Sequence, residues 1–318
     1  MKSRRDRKYS NVMVCEKMKC LIVLVGPTGV GKTDLSIALA KHLGSPIISS
    51  DSRQFYKELA IGTAPPTQQQ LAEVPHYFIG SRSIIEDYTS GRFELDAIPL
   101  ITELFQTHKR LLMVGGSGLY IDAVCTGIDA IPEANGNLRA ELMQQLKSEG
   151  LQALQQKLQQ LDVASYNQID INNPQRVMRA LEVCIASGER YSDLKLLKAK
   201  KRDFNVVRIG LNRDREELYQ RINLRVDKMM EDGLLQEVQA LYPQRNLNAL
   251  KTVGYKELFG YLDGATTLEE AVGLIKRNSR HYAKRQLTWF TRYNDVRWFH
   301  PDDIAGITTT VDSLTCIL

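Results

Sequence analysis

Four short, mostly apolar runs divide the chain and predict buried strands. Leu21 to Val25 is the clearest, because it contains no polar residue. Strands covered on both faces of a parallel sheet carry apolar runs of this kind. The other three runs are Ile47–Ile48, Leu111–Val114 and Val206–Leu211.

Helices are predicted from the residues that begin and end them. One should run from Thr33 to about Leu43, where Gly44 ends it, so that residues 21–50 form a βαβ unit. Late in the chain, Thr267 and Glu270 form a capping box that opens a long helix. Strands alternating with helices are typical of an α/β fold.

The pattern changes in mid-chain, where a glutamine-rich segment, Asn137 to Leu161, carries leucines at helical spacing. Another helix is predicted to start at Asn173-Pro174 and to end at Gly188. We interpret this region as an inserted helical lobe. The predicted division is residues 1–19, a basic N-terminal tail; residues 20–130 and 190–318, the core; and residues 131–189, the lobe.

Composition and charge narrow the class of protein without fixing its partner. No apolar run approaches the roughly 20 residues that a membrane helix needs, and no secretory signal is visible. Five scattered cysteines form no C-x-x-C pair, which favours reduced thiols in the cytoplasm. The net charge is only +5, but basic residues concentrate at 213–228 and 276–292. Such asymmetry is typical of a surface that binds a nucleic-acid backbone.

A glycine-rich loop lies between the first predicted strand and the first predicted helix. It matches the phosphate-binding pattern G-x-x-x-x-G-K-[ST] in the structural context that the pattern requires. Backbone N–H groups can surround phosphate oxygens, Lys32 adds a positive charge, and Thr33 is placed to hold Mg²⁺. The residues predicted to bind diphosphate are Gly26, Pro27, Thr28, Gly29, Val30, Gly31, Lys32 and Thr33.

The predicted fold class is therefore α/β: a P-loop NTPase-like parallel sheet flanked by helices, with an inserted all-helical lobe. The loop identifies phosphate but not the reaction, since kinases, ATPases and GTPases share it. Most of these place a carboxylate after a later strand to organise Mg²⁺ and water. Here the run Leu111–Val114 ends in Gly115-Gly116 instead, so this arrangement is not visible.

Polar residues that follow the second and third strands should meet the loop at one edge of the sheet, where ligands bind in open parallel sheets. Asp51 follows the second strand and Ser117 follows the third. Asp51 is predicted to face a bound diphosphate across a crevice. The alternatives for Asp51 are a helix cap or a Mg²⁺ ligand.

Seven short blocks follow one another from the phosphate loop to the last predicted helix. They are Gly26-Pro27-Thr28, Asp51-Ser52-Arg53-Gln54-x-Tyr56, Ile61-Gly62-Thr63-Ala64, Gly115-Gly116-Ser117-Gly118-Leu119-Tyr120, Asn173-Pro174-Gln175-Arg176, Val253-Gly254-Tyr255-Lys256-Glu257 and Tyr282-Ala283-Lys284-Arg285-Gln286-Leu287-Thr288-Trp289-Phe290. In this order the blocks resemble the bacterial tRNA dimethylallyltransferases. The zinc finger of eukaryotic members has no counterpart, since Cys316 stands alone near the end.

The resemblance implies transfer of a dimethylallyl group from dimethylallyl diphosphate to N6 of the adenosine 3′ of the anticodon, in tRNAs that read codons starting with U. Diphosphate is released. Lys32, Arg221 and Mg²⁺ would stabilise the charge that develops on this leaving group. Asp51 would take the N6 proton, and Thr28 would donate a hydrogen bond to a diphosphate oxygen.

The expected partners are the tRNA anticodon stem-loop and dimethylallyl diphosphate, with no membrane, and we expect a monomer. An ordinary solvated face is the alternative for each basic helix, and Tyr255 either stacks on a base or packs. The predicted tRNA contacts are Asp51, Ser52, Arg53, Gln54, Ser117, Arg139, Gln175, Arg176, Arg179, Gly254, Tyr255, Lys256, Lys284, Arg285 and Gln286.

Two other functions stay open from the residues alone. A small-molecule kinase would share the loop and the fold, but it would consume ATP. A non-catalytic P-loop module that binds RNA would retain tRNA without making a product, and Asp51 would have no catalytic role.

Overall fold

The computed structural model describes residues 19–129, 131, 136–195 and 199–317. Most of the predicted basic tail, residues 1–18, thus lies outside the described residues. The strands in the described part of the chain are β1 Cys20–Val25, β2 Ile47–Ser49, β3 His76–Tyr77, β4 Arg110–Gly115, β5 Asn205–Leu211 and β6 Arg297–Phe299. They form a sheet in the order β3-β2-β4-β1-β5-β6, and each of these pairings is parallel.

The described residues also form fourteen α-helices, of which α5 to α9 follow one another in the middle of the chain. They are α1 Lys32–Leu43, α2 Gln68–Glu73, α3 Ser90–Leu104, α4 Gly118–Cys125, α5 Gly136–Glu149, α6 Leu151–Leu161, α7 Val163–Gln168, α8 Pro174–Ser187, α9 Tyr191–Leu194, α10 Arg215–Glu231, α11 Leu234–Leu241, α12 Tyr255–Leu262, α13 Leu268–Phe290 and α14 Ile304–Ile317. Single 3₁₀ turns cover Tyr242–Gln244 and Asn248–Leu250.

The predicted α/β fold with a parallel sheet is confirmed, and the local signals act as expected. Gly44 ends α1 in the left-handed conformation, with φ of 61°. The side chain of Asn173 accepts hydrogen bonds from two backbone N–H groups at the start of α8. Thr267 and Glu270 form the capping box of α13. β3 and β6 were not predicted, because runs of two and three residues are too short to show a period.

The described chain divides into two compact units. A sheet unit extends to Ile121 and resumes at Arg202, and a helical unit comprises Asp122–Lys201. The predicted lobe, residues 131–189, falls inside the helical unit, which extends beyond it at both ends.

The helical unit has its own apolar core, to which Leu142, Leu154 and Leu158 contribute. Leu161 was expected on the same apolar stripe, but it is 42% exposed. Gly150, with φ of 81°, separates α5 from α6 and so interrupts the helical period.

The core of the sheet unit is built around β1, whose six residues are all buried. Ile22 and Leu24 belong to a cluster that also contains Leu35 of α1 and Ile307 of α14. Each fully buried side chain of this size contributes about 1.5–3 kcal/mol. This packing fixes the sheet, and with it the loops that follow the strands. Among the described helices, none combines the length and the hydropathy needed to span a membrane.

Candidate active site

A cavity of about 910 Å³ opens in the sheet unit where β1, β2 and β4 end. Parallel sheets bring the loops after their strands to one edge, and ligands bind there. Three predicted segments therefore meet, since the phosphate loop, the loop after β2 and the end of β4 all line the cavity. Residues of α10 and α13, and of the chain before α12, complete the wall.

The phosphate loop is held from outside by two arginines. Nε of Arg213 donates to the carbonyl of Val30 at 2.9 Å, and Nε of Arg221 donates to the carbonyl of Gly29 at 3.0 Å. Gly29 has φ of 80°, and a Cβ there would lie 2.8 Å from the Ile222 side chain. Only glycine allows the loop to lie this close to α10.

Lys32 lies in a site that disfavours its own charge. Its Nζ donates to the carbonyls of Gly26 and Pro27, each at 2.8 Å. Burial lowers the pKa of Lys32 to about 7; Asp51 opposes this shift and Arg225 adds to it. An anion in the cavity would restore the charge of Lys32, because it supplies the missing countercharge.

Asp51 lines the cavity in the loop after β2. Its Oδ1 accepts hydrogen bonds from the backbone N–H groups of Arg53 at 2.9 Å and Gln54 at 3.4 Å. Oδ1 therefore caps a turn at residues 52–55, where the sequence had left a helix cap open as an alternative. Within the described residues no hydrogen bond or ion pair involves Oδ2, so this oxygen could accept a proton from a substrate.

Arg225 also lines the cavity, one turn after Arg221 on α10. It was not predicted as a site residue, although its spacing from Arg221 places both on one helix face. The guanidinium of Arg225 donates to the carbonyl of Thr63 at 3.0 Å. Burial lowers its pKa, while Asp51 acts in the opposite direction. Arg221, Arg225 and Lys32 thus all line the cavity.

A short turn at residues 61–64 forms another part of the wall. Nε2 of Gln54 donates to the carbonyls of Thr63 and Ala64, each at 3.2 Å. The turn is held from behind by Glu237, which accepts hydrogen bonds from the backbone N–H groups of Ile61 and Gly62 at 2.7 and 2.9 Å.

Tyr255 packs behind this turn and is completely buried. Its hydroxyl donates to the Glu237 carboxylate at 2.5 Å. Burial and this carboxylate both raise the pKa of Tyr255. Of the two roles that the sequence left open for Tyr255, the structure places it in packing rather than on a tRNA base.

The Gly115–Gly118 turn meets the loop after β2 through hydroxyl groups. The backbone N–H of Ser52 donates to Oγ of Ser117 at 2.9 Å, and Oγ of Ser117 donates to Oγ of Ser52 at 3.0 Å. Tyr282 of α13, which was not predicted, lines the cavity nearby. Burial raises its pKa to about 12, and Asp51 contributes to the rise.

Gln286 was expected to contact tRNA, but its side chain is buried, with 5% exposed. Its Oε1 accepts from the backbone N–H of Thr28 at 2.8 Å, and its Nε2 donates to the carbonyl of Gly116 at 2.9 Å. The amide group therefore faces the phosphate loop rather than the protein surface.

The other predicted tRNA contacts of the sheet unit either line the cavity or are exposed on α13. Arg53, Gly254 and Lys256 line the cavity, and so does Arg285. Lys284 and Arg285 are exposed on α13. The guanidinium of Arg53 also donates to the carbonyl of Ala249 at 3.1 Å, which fixes its position.

The predicted contacts of the helical unit form one polar cluster around a buried carboxylate. Arg139 donates to Glu182 at 2.8 Å and to Gln175 at 2.9 Å. Arg179 lies 3.8 Å from the same Glu182, which is only 1% exposed. Arg176 is exposed on the same helix, α8. This carboxylate offsets part of the cluster's positive charge.

The described residues contain no group of three or more His, Cys, Asp or Glu side chains that could hold a metal ion. Mg²⁺ is usually bound by one or two protein oxygens together with substrate phosphates, so such a cluster is not required. Thr33 lines the same cavity and offers a hydroxyl, and the Asp51 carboxylate is the alternative ligand. This donor set fits a Mg²⁺ ion that arrives with a diphosphate.

Comparison with known proteins identifies similar sequences. A family model described as IPP transferase matches residues 54–293. A protein of Phocaeicola vulgatus named tRNA dimethylallyltransferase 1 is 49% identical over 294 residues, which are 92% of this chain and 98% of that protein.

Two solved structures are similar over most of the chain. The full-length tRNA isopentenylpyrophosphate transferase of Bacillus halodurans has 40% identity and a TM-score of 0.69, covering 93% of this chain and 97% of its own. A eukaryotic dimethylallyltransferase described as acting on tRNA has 27% identity and a TM-score of 0.73, covering 89% of this chain and 74% of its own.

Proposed function

This chain belongs to the IPP transferase family, and we propose that it transfers a dimethylallyl group from dimethylallyl diphosphate to tRNA. The acceptor is N6 of the adenosine 3′ of the anticodon, in tRNAs that read codons starting with U. The observation that carries the proposal is a single cavity with a phosphate loop on one wall and the Asp51 carboxylate on another.

The diphosphate is the leaving group of this reaction. N6 attacks the first carbon of the allylic chain, the bond from that carbon to oxygen breaks, and the electron pair leaves with the diphosphate. Lys32, Arg221 and Arg225 stabilise the charge that develops there, since preorganised cations act most strongly on charge formed in the transition state. Thr33 would hold Mg²⁺, which would add electrostatic stabilisation to the leaving diphosphate. Thr28 donates a hydrogen bond to a diphosphate oxygen.

The adenine amino group is a weak nucleophile and needs a proton acceptor. Oδ2 of Asp51 takes the N6 proton as the new C–N bond forms, while Oδ1 stays bound to the backbone of its own loop. A base in a single-stranded loop can leave its stack at low cost and enter such a cavity. We propose that the protein acts as a monomer. With tRNA as its partner, we place the protein in the cytoplasm.

The test is an assay that identifies the product. Unmodified tRNA is incubated with labelled dimethylallyl diphosphate, Mg²⁺ and the protein, without ATP, and the digested nucleosides are analysed by mass spectrometry. We expect an adenosine next to the anticodon to gain five carbons. A product that forms only with ATP would favour a kinase, and retained tRNA without any product would favour a non-catalytic RNA-binding module.

A further inference from the structure

Gln286 joins two loops that lie far from it in the sequence. It is separated by 258 residues from Thr28 and by 170 residues from Gly116, yet it is hydrogen-bonded to both. Thr28 offers an N–H group and Gly116 offers a carbonyl oxygen. Only one orientation of the amide satisfies both partners, with Oε1 towards Thr28 and Nε2 towards Gly116.

The contact is also sterically tight. A Cβ at position 116 would lie 2.1 Å from Nε2 of Gln286, so the amide reaches its place only because residue 116 is a glycine. The side chain has 5% of its surface exposed. A buried amide with both groups paired is strongly constrained, because an unpaired buried donor or acceptor is costly.

We propose that Gln286 is a positioning residue of the diphosphate site. It holds the backbone of Thr28, and with it the phosphate loop, against the end of β4. Lys284 and Arg285 lie on the same turn of α13 and are exposed. We expect these two residues to contact RNA. One helical turn therefore serves both substrates, with the buried side chain directed to the diphosphate.

This inference rests on the proposed function only in the identity of the substrate, because diphosphate binding can be measured without turnover. The probe is inorganic pyrophosphate with Mg²⁺, titrated into the whole protein in a calorimeter. Gln286→Met has a side chain of similar length and loses both hydrogen bonds. Gln286→Asn keeps the amide group on a side chain that is one carbon shorter and cannot span Thr28 and Gly116. Lys284→Ala is the matched variant on the exposed side of the turn.

We expect Gln286→Met to bind pyrophosphate about 10–100-fold more weakly, as misplaced binding groups typically cost, and to bind tRNA as the wild type does. Gln286→Asn should also bind pyrophosphate more weakly, because its shorter side chain cannot reach both partners. Lys284→Ala should show the reverse pattern, with weaker tRNA binding and normal pyrophosphate binding.

Normal pyrophosphate affinity in both Gln286 variants, or a loss confined to tRNA binding, would overturn the assignment. Circular dichroism and thermal melting monitor folding, and Gln286→Asn decides the matter if Gln286→Met does not fold. A wild-type protein that transfers no prenyl group would contradict the proposed function. That result would leave the pyrophosphate titrations valid as a test of Gln286.

Discussion

Lys32 illustrates how a single residue acquires its chemistry from its surroundings. The phosphate-loop pattern predicted a positive charge at Lys32, and burial lowers the pKa of this lysine to about 7. Its partners in the free protein are two carbonyl oxygens, which attract the ammonium group without neutralising it. The full charge of Lys32 is therefore expected to develop when the diphosphate binds.

This view predicts that pyrophosphate binding takes up a proton. Above pH 7 the free Lys32 is mostly neutral, and the bound anion raises its pKa, so the affinity should fall as pH rises from 7 to 9. Calorimetry at pH 8 in buffers of different ionisation enthalpy measures the uptake. Lys32→Met is the control, since it keeps the protonation of pyrophosphate itself and removes that of the lysine. Equal uptake in both proteins would contradict the assignment.

Single residues also mark the limit of what the sequence predicts. Lys32 and Asp51 were predicted because their neighbours in sequence are also their neighbours in space. Tyr255 and Gln286 also lie within the blocks that resemble the family. Their buried positions depend on partners from other segments of the chain, which are Glu237 for Tyr255 and Thr28 with Gly116 for Gln286. A local pattern shows that such a polar residue matters and does not show which way it faces.

At the scale of an element, α13 is the helix whose two sides have different roles. Its buried side holds the phosphate loop through Gln286, and its other side exposes Lys284 and Arg285. The capping box predicted the start of this helix correctly. The short edge strands β3 and β6 escaped prediction, because their pairing with β2 and β5 arises only in the folded sheet.

The exposed side of α13 is expected to contact the tRNA backbone. Lys284→Ala with Arg285→Ala should weaken tRNA binding and reduce the dependence of log K on log salt by about one unit for each lost phosphate contact. Filter binding over a range of salt concentrations measures this slope. Lys41→Ala is the control, because Lys41 lies on α1 in an ion pair with Glu73. An unchanged slope in the double variant would mean that this side of the helix is ordinary solvated surface.

At the scale of the whole molecule, the site exists because a parallel sheet gathers loops from distant parts of the sequence. Residues from the phosphate loop to Gln286 line one cavity. The fold class followed from a glycine-rich loop placed between a strand and a helix. One wall of the cavity could not be predicted from the sequence, because it depends on how helices pack across the sheet. This wall is formed by the turn at residues 61–64, Arg225 and Tyr282.

The central claim is that this cavity performs transfer, with Asp51 as proton acceptor opposite the phosphate loop. Asp51→Asn keeps the shape of the side chain and a hydrogen-bond acceptor, but the amide cannot take a proton at neutral pH. Asp87→Asn is the control, since Asp87 is exposed and does not line the cavity.

The decisive measurement is the single-turnover rate of prenyl transfer in Asp51→Asn with both substrates saturating, first at limiting and then at excess Mg²⁺. We predict that this rate falls by about 10²–10⁴-fold, that pyrophosphate affinity changes little, and that Asp87→Asn reacts at the wild-type rate. If excess Mg²⁺ restored the rate, Asp51 would be a metal ligand instead. A near-normal rate in Asp51→Asn would contradict the account and remove this carboxylate from the mechanism.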